Sequence, residues 1–325
     1  MKEDQQETSA AASWRAEATA GGGVVGNSLV SNSLAGADSE GSPLVLAIDT
    51  STAVMAAALL EGDRVLGELN SMSERNHSVY SVPALQELLR QANKTPDELA
   101  AIAVGRGPGS YTGTRIAVTI GKTLAWAWGK PLVGVSSLEG IAYGAWRLSQ
   151  TAAGEHPSDE GYTADHALSQ EPQEQPKGSR WFVPMIDARR GQAYTALFRT
   201  SGGGYWGRLA DDSIRLTAKW IEELAQQVRA ADEATRPEAI VVAGEQLELH
   251  SAQLGQLGHL LEGTGTSLHT IHYAVEGAQI ARLGRNLLLR GEVSVPHALV
   301  PNYTQMAEAE AKLAAARGQE VSPRG

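Results

Sequence analysis

Two aspartates stand where a chain of alternating strands and helices usually holds a ligand. Asp49 ends the apolar run 44–48 and is followed by Thr50, Ser51 and Thr52; Asp187 ends the run 181–186 and is followed by Ala188, Arg189 and Arg190. Carboxylates at the carboxyl ends of buried strands border the ligand crevice of α/β sheets, where they can hold a magnesium nucleotide or orient a small substrate. Each could equally cap the turn that follows it. A third candidate is the loop Gly105-Arg106-Gly107-Pro108-Gly109-Ser110. Its glycines permit close approach of backbone, and Pro108 stiffens it. It leads into a helix N-terminus near Thr112, whose amides can hold an anion.

These residues need a scaffold, and the apolar patterning supplies one. Runs 44–48, 101–104, 132–135, 181–186 and 240–243 are short and apolar, as expected of strands buried on both faces. Residues 54–60 and 64–68 form a hairpin across Gly62-Asp63. A second hairpin pairs 193–199 with 205–209 across Ser201-Gly202-Gly203-Gly204, and 211–216 is a candidate extension of that sheet. Helical periodicity covers 78–92, 112–128, 136–148, 217–228, 247–261 and 275–290, with Gly291 in the stop position. Thr95-x-x-Glu98 and Ser136-x-x-Glu139 read as capping boxes. Pro83 should kink or reset the first turn of its helix. Residues 296–303 read as extended and 307–316 as a last short helix.

The helix over 112–128 carries two stripes at four-residue spacing, each on one face. One is apolar (Ile116, Ile120, Leu124, Trp128) and the other small (Gly113, Ala117, Gly121, Ala125). A small stripe lets another backbone come close. On spacing alone, packing on the chain's own sheet is the favoured use, and a partner helix is the sharper alternative.

A formal charge of −10 argues against a large nucleic-acid surface made by this chain alone, because phosphate binding needs concentrated Lys and Arg. A local basic patch stays open. With no cysteine there is no disulfide framework and no Cys-based zinc site. The first residues lack the basic-then-apolar pattern of a secretory signal, and no apolar run reaches membrane-spanning length. A soluble, cytoplasmic protein is expected. Residues 1–42, rich in Ala, Gly and Ser, read as a disordered N-terminal extension, either a tail or a mispredicted start. Residues 150–179 read as a flexible insertion and 312–325 as a tail.

The two halves also repeat. Leu59 follows Asp49 and Leu197 follows Asp187 by the same 10 residues, and each Asp ends a strand that leads into a hairpin and then a helix. Such internal similarity points to a duplicated fold.

Together, IDTSTAVMAAAL, HSVYSVPALQELL, GRGPGSYTGTRIAVTIGKTLA, GVSSLEGIA, DARRGQAYTAL and PNY-x4-AEAE resemble the TsaB (YeaZ) family over about 44–311, less the insertion. The resemblance implies a duplicated, actin-like (ribonuclease-H-like) α/β fold with mixed sheets flanked by helices. The first domain would be 43–147. The second would be 180–311, with C-terminal helices of which the last can return to the first domain. The implied role is a non-catalytic subunit in threonylcarbamoyladenosine biosynthesis, pairing with TsaD and working with TsaE. Homodimers are also implied, and tRNA is met only through the complex. The helices of the first half are the implied partner interface: Val82, Leu85, Leu89, Gly113, Ala117, Ile120, Gly121 and Leu124. This moves the small stripe from core to interface.

The residues agree with lost chemistry. The catalytic relative carries a metal-binding H-x-x-x-H pair, and its places fall here at Ser137 and Ile141, which cannot replace two imidazoles. No catalytic residue and no metal ligand is assigned. Asp49, Thr50, Ser51, Asp187 and Gly244 are a nucleotide-binding remnant, with few glycines to bring amides to phosphate. No cofactor is assigned firmly; weak binding of ATP or ADP with Mg, or binding shared with a partner, stays open. Arg189 and Arg190 could meet an acidic group on a partner or RNA, or form a solvated pair. The competing functions are an actin-like, ATP-dependent small-metabolite kinase and a peptidase. No zinc set or Ser/His/Asp spacing supports the latter.

Overall fold

The computed structural model describes residues 42–72, 77–152, 178–201 and 205–304. The N-terminal extension, most of the insertion, the triglycine turn, the helix over 307–316 and the tail lie outside these described residues. Strands β1 (Leu44–Asp49), β2 (Val54–Glu61), β3 (Arg64–Met72), β4 (Ala101–Gly105) and β5 (Leu132–Val135) form a mixed sheet in the order β3-β2-β1-β4-β5. Strands β6 (Arg180–Asp187), β7 (Gln192–Ser201), β8 (Tyr205–Leu216), β9 (Ala239–Gly244) and β10 (Ser267–His272) form a second, ordered β10-β9-β6-β7-β8. Read from opposite ends the two orders are the same, so the fold is duplicated. In each half a hairpin meander pairs antiparallel, and the later strands join in parallel.

Among the described residues six α-helices complete five layers: α1 (His77–Gln91), α2 (Tyr111–Trp128), α3 (Ser137–Ala152), α4 (Thr217–Ala230), α5 (Ser251–Leu261) and α6 (Gly277–Leu289). Alternation along the strands gives each sheet two apolar faces. The outer face of the first sheet (Leu46, Ile48, Leu59, Ile102, Val104) packs under α1 and α2. The outer face of the second (Val183, Met185, Ile240, Val242) packs under α4 and α5. Between the sheets lie α3 and α6, exchanged between halves: α3 leaves the first sheet yet packs on β6, β7 and β9, while α6 returns to β1, β2 and β4. Phe182, Phe198, Trp206, Tyr143 and Trp146 fill this central layer, Phe198 and Trp206 stacked with ring centroids 5.2 Å apart.

The helix through Pro83 does not restart, because Leu85, Leu88 and Leu89 are buried on the sheet beyond it. Residues 205–216 form one strand. β10 carries no strand signal in the sequence, because its two apolar residues, Leu268 and Ile271, are three apart and give no two-residue alternation. Residues 296–298 form a turn rather than extended chain.

The N-terminus of α6 is capped from β3. Asn70 Oδ1 accepts from Gly277 N at 3.0 Å and Glu68 Oε1 from Ala278 N at 2.8 Å. Burial pushes the Glu68 carboxyl above its usual range, against the Ala278 hydrogen bond. A folded pKa above the unfolded one means that ionised Glu68 costs stability at neutral pH, and the cost vanishes below the unfolded value of about 4.3. Glu68→Gln keeps the acceptor, so its melting temperature should exceed that of the parent near neutral pH and match it near pH 4. A variant less stable at both pH values would show that the charge at the helix end matters more than burial.

Candidate functional site

The carboxyl end of β1 is a closed structure. Asp49, Thr50 and Ser51 are fully buried. Asp49 Oδ1 accepts from Ser51 N at 2.6 Å, and Oδ2 accepts from Ser137 Oγ at 2.5 Å. Ser137 Oγ also accepts from Gly107 N at 3.0 Å, so the first residue of α3 ties Asp49 to the glycine-rich loop. Thr50 Oγ1 donates to Gly113 O at 2.6 Å, and Ser110 N donates to Ser51 O at 2.6 Å. Four amides of the loop and helix start are used inside the protein: Arg106 N on Val135 O, Gly107 N on Ser137, Ser110 N on Ser51, and Gly113 N on the cap residue Ser110. The loop thus closes over the end of β1.

Asp187 does not join Asp49. Asp49 shares its sheet face with Val45 and Ala47 and turns to the central layer; Asp187 shares its face with Val183 and Met185 and turns outward. The register explains this. Asp49 pairs with Ala56, seven residues on, but Asp187 pairs with Ala193, six on. The second hairpin is one residue tighter, so equal ten-residue steps reach leucines on the same outer face from aspartates on opposite ones. Asp187 Oδ1 lies 3.3 Å from Nε2 of buried His250, without hydrogen-bond alignment, and His250 Nδ1 lies 3.1 Å from Thr217 Oγ1. Gly244 is buried against Met185 O. Beside it, burial pushes the Glu245 carboxyl up, with Thr52, His272 and Asp49 as its polar neighbours. Asp49, Thr50, Ser51, Asp187 and Gly244 do not form one magnesium-nucleotide site: Asp49 is buried with both carboxylate oxygens hydrogen-bonded, and Asp187 turns to the opposite face of its sheet.

The structure also corrects the small stripe. Ala117 and Ala125 are buried on the first sheet. A Cβ at Gly121 would overlap Val104 Cγ1, and one at Gly113 would overlap the Thr50 carbonyl. Leu85 and Leu89 belong to the same core. Gly113, Ala117, Gly121, Leu85 and Leu89 therefore cannot face a partner, because the chain's own sheet already covers them. Val82, Ile120 and Leu124 are half-buried and keep an outer edge. Val79 (62%) and Trp126 (70%) are exposed; spacing puts Val79 on the apolar face of its helix with Val82, Leu85, Leu88 and Leu89, and leaves out Trp126, which lies off both stripes of α2.

Two further features were not legible in the sequence. Ser136 caps α3 as expected, its Oγ accepting from Glu139 N at 3.1 Å. The Glu139 carboxylate, however, turns to the second half, accepting from Trp206 Nε1 at 3.1 Å and from Arg208 at 2.9 Å. Arg208 also meets Asp212 at 2.6 Å, and the two carboxylates hold its guanidinium charged despite burial. Residues 294–303 strap this arrangement. Ser294 N bonds Leu132 O, Leu299 packs beside Gly134, Asn302 N bonds Arg106 O at 2.7 Å, and Asn302 Nδ2 donates to Asp212 at 3.0 Å.

A twice-repeated ribonuclease-H-like sheet order, with the first strand end plugged, defines an actin-like, duplicated α/β protein. The sequence is 34% identical over 268 residues to the tRNA threonylcarbamoyladenosine biosynthesis protein TsaB of Bacillus subtilis (strain 168), spanning 82% of this chain and 96% of that protein. The chain belongs to the TsaB family. It is 29% identical over 184 residues to the protein of the same description from Escherichia coli (strain K12), spanning 57% of this chain and 67% of that one. The solved structure of YeaZ from Pseudomonas aeruginosa shares the fold, with a TM-score of 0.57 at 21% identity over 80% of this chain and 99% of that one. The family model for TsaD, tRNA N6-adenosine threonylcarbamoyltransferase, matches residues 67–157.

Proposed function

We propose that this chain is a non-catalytic subunit in the biosynthesis of threonylcarbamoyladenosine in tRNA, pairing with a TsaD-type transferase and working with TsaE. The observation that carries this reading is the Asp49–Ser137 hydrogen bond. It fills, with the chain's own side chains, the place where a catalytic relative would keep metal and nucleotide. A kinase acting alone would need that carboxylate free. The relatives are named for the biosynthetic pathway, which supports the role. The match of the first half to the TsaD model supports a paralogous partner, because similar surfaces can pair quasi-symmetrically.

The partner face is the outer surface of α1 and α2, with Val79, Val82, Ile120, Leu124 and Trp126. A homodimer would use the same face. Any ATP or ADP with Mg is then held at the shared face rather than at Asp49, and tRNA is met through the complex. The work is cytoplasmic; among the described residues no helix is long and apolar enough to cross a membrane. Co-purification with a TsaD-type protein tests this reading. A 1:1 complex is expected, and failure to associate at micromolar concentrations would overturn it.

A further inference from the structure

We infer that the turn Arg189-Arg190 is a phosphodiester-backbone contact through which this chain touches tRNA directly within the complex; the inference rests on the function proposed above. The tight β6–β7 hairpin turns through three consecutive residues with positive φ: Arg189 at 65°, Arg190 at 55° and Gly191 at 71°. Asn-Gly or Asp-Gly is the unstrained choice for such a turn, and arginine with its Cβ is not. Backbone strain of this kind persists only where the surroundings fix it. Here they do: Ala188 N donates to Gln192 O at 2.9 Å, Gln192 N to Arg189 O at 3.0 Å, Thr217 N to Gly191 O at 2.9 Å, and Arg189 N to Asp187 Oδ2 at 3.2 Å.

Both arginines are exposed, and among the described residues neither guanidinium has an ion pair, hydrogen bond or ring contact. The other arginines of this hairpin sheet are engaged: Arg199 over Tyr205, Arg208 over Phe198, and Arg215 over Trp220. The turn thus holds two adjacent, uncommitted cations outward on a rigid mount.

The chemistry favours a long polyanion over a small one. The amides of Ala188, Arg189 and Gln192 are used inside the turn, so the backbone leaves little for a free phosphate to bind. Two side-chain cations alone bind a small anion weakly, but they add to a polyanion docked by a larger assembly. A chain with a net charge of −10 repels RNA overall, so its contact must be local and cationic.

The test compares the parent chain with Arg189→Asn/Arg190→Gly and with Arg189→Lys/Arg190→Lys. Each is complexed with a TsaD-type transferase and titrated with unmodified tRNA across a potassium chloride series. The Asn-Gly variant should melt higher than the parent because its turn is relaxed. It should also lower the slope of log K against log salt by about 1.4 to 1.8, the value for two lost phosphate contacts. The lysine variant should keep the slope. An unchanged slope in the Asn-Gly variant overturns the inference. So does an unchanged slope with weakened transferase binding, which would assign the turn to an acidic protein surface. Should no complex form, the pairing reading fails by itself. The inference is then decided on the chain alone at low salt, where the Asn-Gly variant must bind tRNA several-fold more weakly than the parent.

Discussion

A valine in place of Gly121 is expected to cost the fold about 3 kcal/mol or more, the upper range for overpacking a filled core. For a protein of this size that corresponds to a fall in melting temperature of roughly 4–6 °C. The reason is geometric. The small stripe brings α2 down onto β4 until Gly121 meets Val104, and no space remains for even one added carbon. Gly113→Ala should be comparably harmful, because its neighbour is the Thr50 carbonyl, which is backbone and cannot rotate away. Thr123→Ala, on the exposed side of the same helix, should change little. Thermal denaturation of the three variants checks this. A Gly121→Val protein as stable as the parent would mean that the stripe does not pack as described. It follows that bulky substitutions at Ala117 or Gly121 report on folding and cannot test association.

The largest expected effect on function comes from Val79→Glu/Trp126→Glu. Both residues are mostly exposed, so the isolated chain should keep its melting temperature. Association with the TsaD-type partner should weaken at least about 100-fold, since a buried tryptophan is the commonest kind of interface anchor and two new carboxylates would have to be desolvated. Analytical ultracentrifugation of the mixture, with circular dichroism of the variant, separates loss of binding from loss of fold. Undiminished affinity in a well-folded variant would move the partner face elsewhere.

Much of the fold was legible because burial writes a strong pattern. The apolar runs at β1, β4, β5, β6 and β9 and the periodic helices were placed within a few residues of where they lie. The duplicated order was legible from the repeated strand–Asp–hairpin unit. The polar, exposed strand β10 left no such pattern. The site was less legible, for reasons of register and distance. A hairpin tighter by one residue turns Asp187 outward, and sequence spacing cannot show which way a strand end faces. Ser137 could be read as a missing histidine, but not as the donor that occupies Asp49, 88 residues away. The spacing of the small stripe points to core, where Gly113, Ala117, Gly121 and Ala125 lie, whereas the family resemblance points it to the interface. Resemblance carries a surface's role more safely than the identity of its residues.

Threonylcarbamoyladenosine formed in tRNA is the most direct measurement, made with the TsaD-type transferase and TsaE in the presence and absence of this chain, and with this chain alone. Modification is expected only when chain and transferase are both present, with no product and no ATP turnover from the chain by itself. Turnover by the isolated chain, or modification that proceeds equally well without it, would contradict the assignment of a filled site and a docking role.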